Sequence, residues 1–149
     1  MKMAKVERTY YESGELKSEC SKLNGKKNGY SKQYYSDGQL GLSQLYIDDQ
    51  LNGEYKHYDE NGQLDEICLY IDGLIQGEFK AYHTNGQLDV ITSCIDNKMN
   101  GETKWYDDEG VLYASCSYAN DKKNGKYKIY NKNGDIMSIQ IYENGIKIK

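Results

Sequence analysis

Apolar and polar side chains alternate along this chain in short runs, and the runs recur. In the third copy the alternation covers 54–59 and 63–71, with Asn61-Gly62 between them. A period of two predicts strands with one face turned in and one turned out. The dipeptides Asp37-Gly38, Asn61-Gly62, Asn85-Gly86 and Asn133-Gly134 predict two-residue hairpin turns with positive φ at both central positions. Asn24-Gly25, Asp72-Gly73 and Asn144-Gly145 predict the same turn at the other end of each hairpin, with Asp48-Asp49, Asp96-Asn97 and Asn120-Asp121 as weaker versions.

The runs repeat at a fixed interval. Gly-x-Leu begins at Gly14, Gly38, Gly62, Gly86 and Gly110, and Gly-x-Ile at Gly134, always 24 residues apart. A second row is Gly29, Gly53, Gly77, Gly101 and Gly125, and a third is Gly25, Gly73 and Gly145. Tyr10, Tyr34, Tyr58, Tyr82, Tyr106 and Tyr130 form one unbroken register. Self-similarity at this spacing is the signature of a repeat architecture. The reading is one all-β repeat domain of six hairpins, 5–28, 29–52, 53–76, 77–100, 101–124 and 125–149. Its expected form is an elongated single antiparallel sheet of about twelve strands, roughly 55 Å long.

Two-residue turns at both ends would set which side chains share a face. One face then carries Leu40, Leu42, Tyr46, Tyr55, Leu64, Cys68, Tyr70, Phe79, Leu88, Trp105, Leu112, Tyr118, Tyr127 and Tyr142. The other carries Arg8, Lys32, Lys56, Lys80, Lys104 and Lys128, the Tyr34 row, and Ile67, Leu69, Ile71, Ile91 and Ile95. No part of the chain is left over to form a covering helix. The aromatic face must curl on itself, pair with a second copy, or receive a partner. Its candidate protein-binding residues are Tyr55, Phe79, Trp105 and Tyr127, read as one register, with Tyr30 next door in the first copy; large aromatics dominate binding hot spots.

Composition narrows the function classes. Apolar residues are 38% and mean hydropathy is -0.90, lean for a compact core. Net charge is -4, so the basic field that nucleic acid or anionic lipid demands is missing. No run of 18 apolar residues spans a membrane. The start, Met1 to Arg8, has no apolar leader stretch, and a cytoplasmic setting is expected.

Candidate chemistry is sparse. Cys20, Cys68 and Cys116 share a register two repeats apart, about 19 Å, and Cys94 lies about 10 Å from its neighbours. That exceeds disulfide reach, so four free thiols are expected. His57 and His83 lack recurring partners at metal spacing. No nucleophile elbow or phosphate loop occurs. No catalytic residue, metal or cofactor is assigned, and the chain is read as a non-enzyme.

The units Tyr-Tyr-Ser-Asp-Gly-Gln-Leu from Tyr34, Asn-Gly-Glu-Tyr-Lys-His-Tyr from Asn52, and the segment from Tyr70 to Tyr82 resemble MORN repeats. They are similar to the bacterial variant found in the YwqK-type antitoxin family. The resemblance implies hairpin sheets without catalytic machinery, protein–protein contact or homo-oligomerisation, and a toxin as one expected partner. The acidic charge would suit a basic one. Glycan or cell-wall binding, through pairs such as Tyr10-Tyr11 and Tyr34-Tyr35, and phospholipid-head binding stand as alternatives.

Overall fold

The computed structural model describes residues 4–149. Met1–Met3, where the segment read for a leader begins, lie outside the described residues. Among the described residues there are fifteen strands and no helix. The pairings are antiparallel and strand order follows chain order, as tandem hairpins require.

The chain divides after Leu74 into two compact units. The first holds β1 (Lys5–Tyr10), β2 (Leu16–Leu23), β3 (Lys26–Tyr34), β4 (Leu40–Ile47), β5 (Gln50–Tyr58) and β6 (Leu64–Ile71), paired in that order. β7 (Leu74–Ile75) falls at the division. The second holds β8 (Gly77–Tyr82), β9 (Leu88–Ile95), β10 (Lys98–Met99), β11 (Gly101–Tyr106), β12 (Leu112–Ala119), β13 (Lys122–Tyr130), β14 (Ile136–Glu143) and β15 (Ile146–Lys147). There β8, β9, β11, β12, β13, β14 and β15 pair in order, and β10 also pairs with β9.

The two hairpin ends use different turns, which corrects the symmetric expectation. At Asp48-Asp49, Asp96-Asn97 and Asn120-Asp121 both residues have positive φ, as does Asn24 with Gly25. These are tight two-residue turns. At Asp37-Gly38, Asn61-Gly62, Asn85-Gly86 and Asn133-Gly134 only the glycine is positive. In the first copy the Gly14 N–H donates to the Tyr11 carbonyl at 3.0 Å, and the Tyr11 N–H to Glu15 at 2.9 Å. That is a type I turn followed by a left-handed glycine, which inserts a bulge. Hence Lys32 faces Ser43, but Tyr34 faces Leu40. The shift moves the Leu40, Leu64, Leu88 and Leu112 row opposite the Tyr34 row rather than onto the aromatic face.

The second glycine row marks a further irregularity. Gln44 faces Tyr55 and Tyr46 faces Leu51, so residues 52–54 of β5 lie against Leu45 alone. Gly53 adopts φ 136° there, and an added Cβ would sit 2.5 Å from Leu45 Cδ2. The same break separates β7 from β8 and β10 from β11, which raises the strand count above twelve. Two extra residues leave the parity of β5 unchanged, so its faces are retained.

The tight turns also reach back to the preceding hairpin. The Asp49 N–H donates to the Lys27 carbonyl at 3.0 Å, and Asp49 Oδ1 accepts the Lys27 N–H at 2.7 Å. Asn97 clamps Ile75 in the same way, and Asp121 clamps Met99. Gly73 and Gly145 make only the backbone half, to Leu51 and Lys123. The non-glycine residues in this row are therefore fuller versions of the turn, not weaker ones.

Candidate interaction surface

The floor of the aromatic face is made of small side chains. Thr103 is 1% exposed and Cys116 0%, and Ser31, Cys68, Thr92, Cys94 and Ala114 are buried as well. Thr92 and Thr103 satisfy each other through a 2.6 Å hydroxyl–hydroxyl bond. In a single sheet layer such burial comes from neighbours on the same face. Tyr55 packs on Tyr70 with ring centroids 5.9 Å apart, Trp105 on Tyr118 at 6.3 Å and Tyr127 on Tyr142 at 6.5 Å. Lys27 Nζ caps Tyr46 at 4.5 Å, and Lys123 Nζ lies over both Tyr127 and Tyr142. Burial pushes the phenols of Tyr55, Tyr70 and Tyr118 above their ordinary pKa.

This arrangement relocates two of the five candidate residues. Tyr55 faces Cys68, Phe79 faces Thr92 and Tyr127 faces Cys116, all at one register. The fourth member of that register is Thr103, also opposite Cys116; Trp105 lies two residues further along and faces Ala114. Tyr30 faces Leu45 on the opposite side of the sheet. Tyr55, Phe79, Trp105 and Tyr127 are half-buried, whereas Tyr30 is 53% exposed. In the second unit Trp105, Tyr113, Ala114, Tyr118, Lys123 and Tyr127 line a shallow cavity of about 170 Å³.

Other large exposed apolar side chains lie away from this cavity. In the first unit they include Tyr30, Ile47, Leu69 and Ile71, which share the parity of the cationic row. Sequence alternation had marked that face as mixed; exposure shows where its apolar part stands open. The cations themselves are engaged: Lys56 with Glu54 at 2.7 Å, Lys80 with Glu78 at 2.8 Å, Lys104 with Glu102 at 3.3 Å, and Arg8 and Lys32 with Glu19. Lys128 follows Lys126 instead of a glutamate. Such exposed pairs contribute roughly 0–1 kcal/mol each. Residues 1–74 hold 9 basic and 13 acidic side chains, and residues 75–149 hold 10 of each, so the whole charge of -4 belongs to the first segment.

Five segments, 5–21, 51–72, 75–93, 99–120 and 123–144, match the MORN repeat variant and together cover more than half of the chain. The chain belongs to the MORN repeat family. No curated protein matches it. The matched MORN segments fall on the hairpins described above, while residues 22–50, which include most of the second copy, lie outside them.

Within the MORN hairpins the residue after each row tyrosine has one of two duties. The Tyr11 and Tyr35 hydroxyls donate to the carbonyls of Tyr34 and Tyr58 in the next repeat, and His83 Nε2 donates to Tyr106. Asp59, Asp107 and Asn131 instead accept N–H groups of their own turns. The Tyr-Tyr pairs thus spend their second hydroxyl on joining repeats. His57 faces Glu66, and its Nδ1 lies 2.9 Å from Asp65 Oδ2. Among the described residues no group of three or more His, Cys, Asp or Glu is placed to hold a metal ion. Cys20, Cys94 and Cys116 are free thiols, and Cys68 is buried.

Proposed function

We propose that this MORN array is a non-enzymatic module that binds another protein. One observation carries the reading: Tyr30, Ile47, Leu69 and Ile71 stay 45–53% exposed on the face away from the packed aromatics. Contiguous exposed apolar surface marks interaction sites. The aromatic rows satisfy one another within each unit, so they act first as core.

The finer form of the reading is an antitoxin or immunity protein that neutralises a basic toxin. The acidic first segment supports it, because opposite charge speeds encounter and fixes partner choice. Free thiols at Cys20, Cys94 and Cys116 suit a reducing, cytoplasmic setting. Self-association through the same surface is the other form. Affinity capture from the source cells, combined with light scattering of the purified chain, tests this. A stoichiometric protein partner or a homodimer is expected. A strict monomer that captures no protein overturns the reading.

A further inference from the structure

On the first unit, Tyr30 stands opposite Leu45 on neighbouring strands. The Leu45 side chain lies against Gly53, and the next residue, Glu54, stands opposite Leu69. An apolar band therefore lies over β3, β4 and β6 on one face, crossed on β5 by the Glu54 carboxylate that pairs with Lys56. Ile47 and Ile71 extend it to the tight turns, where Asp48, Asp49 and Asp72 follow directly.

At Leu45 and Leu69 the fold also accepts serine. The register that carries Leu45 and Leu69 carries Ser21, Ser93 and Ser117 in three other repeats, at the same bulge against the same glycine row, and Ile141 in the last. The backbones approach equally closely with either side chain: an added Cβ would meet Leu45 Cβ at 3.0 Å from Gly53 and Ser21 Cβ at 3.0 Å from Gly29. A larger, greasier side chain at a position that folds with serine calls for a reason outside the fold.

We infer that the band of Tyr30, Leu45, Leu69 and Ile71, rimmed by Asp48, Asp49 and Asp72, docks a protein segment whose apolar side chains are flanked by lysine or arginine. The inference rests on the protein-binding reading above and names the surface and the partner chemistry. The apolar band removes the partner's apolar side chains from water, and the carboxylates at the turns meet its cations. An anionic membrane would meet like charge at the same rim.

The test uses the full chain and two fluorescent peptides, one alternating leucine with lysine and one alternating leucine with glutamate. Only the leucine–lysine peptide is expected to bind. The variant D48N/D49N/D72N removes three charges while keeping residue types that already occupy these left-handed positions, as at Asn24, Asn97 and Asn120. It should weaken binding at least about fivefold at low salt and flatten the salt dependence. The variant L69T/I71T should weaken binding at both low and moderate salt. E60Q/D108N/E143Q, which removes the same charge from exposed positions elsewhere, should leave affinity within about twofold. Equal weakening by the two charge variants, no effect of L69T/I71T, or equal binding of phosphatidylserine vesicles overturns the inference. If a captured native partner ignores all three variants, this surface is refuted while the protein-binding reading stands.

Discussion

Asp49 holds Lys27 from both sides: its backbone N–H donates to the Lys27 carbonyl at 3.0 Å, and its Oδ1 accepts the Lys27 N–H at 2.7 Å. The pair ties one hairpin to the one before it. D49G keeps the left-handed turn but loses the side-chain half, and should lower stability by about 1 kcal/mol. D49N should cost less, because Asn97 makes the same clamp. Conversely, Gly73→Asn places a clamp where only the backbone half exists, with nothing within 4 Å of the added Cβ. A gain of about 0.5–1 kcal/mol is expected. Urea unfolding of the three variants checks both directions.

Gly53 and Gly77 occupy equivalent positions but should respond differently. Gly53→Ala drives a Cβ into Leu45 and strains a φ of 136°, so a loss of at least about 2 kcal/mol is expected. Gly77→Ala meets open space and bears only the φ penalty, about 1 kcal/mol. Adding L45S to the Gly53 variant should recover most of the difference in thermal midpoint.

Much of this was readable in the sequence, and the main miss has a physical cause. Glycine and tyrosine rows at a 24-residue interval give the hairpins, their order and the two faces. What they do not give is the bulge. Asn61-Gly62 and Asn144-Gly145 are the same dipeptide, yet one closes a type I turn with an inserted residue and the other a tight turn. Asp59, Asp107 and Asn131 accept N–H groups two and four residues on, which supports the longer loop in those copies, but Tyr11, Tyr35 and His83 head the same turn without such bonds, so no one residue marks it. Trp105 and Tyr30 are a separate matter: the 24-residue interval from Tyr55 lands on Thr103 and Ser31, so spacing alone already places both outside that register. Exposure of Leu69 and Ile71 depends on what fails to cover them, which no single strand records.

Thr92 and Thr103 offer a coupled test of the aromatic face. Each hydroxyl is buried and bonded to the other at 2.6 Å. T92V or T103V alone strands the remaining hydroxyl and should cost about 1–3 kcal/mol. The double variant removes both groups and should cost no more than either single change. Additive losses in denaturant unfolding would contradict the pairing.

The cysteines should separate by reactivity. Burial pushes the Cys94 and Cys116 thiols above the ordinary cysteine pKa, and both side chains are shielded. The thiolate is the reactive form, so at about pH 8 both should be alkylated much more slowly than the partly exposed Cys20. Raising the pH should accelerate Cys94 and Cys116 only towards their elevated pKa. Mass spectrometry of timed iodoacetamide samples, native and in urea, reads the order. Labelling of Cys116 ahead of Cys20 in the native protein would contradict its burial.

The clamps between hairpins all point one way: Asp49 to Lys27, Gly73 to Leu51, Asn97 to Ile75, Asp121 to Met99, Gly145 to Lys123. Each turn fastens to backbone already made when the turn itself leaves the ribosome. These turns thus close without downstream sequence, whereas the Tyr11, Tyr35 and His83 links to Tyr34, Tyr58 and Tyr106 form only as the next copy emerges.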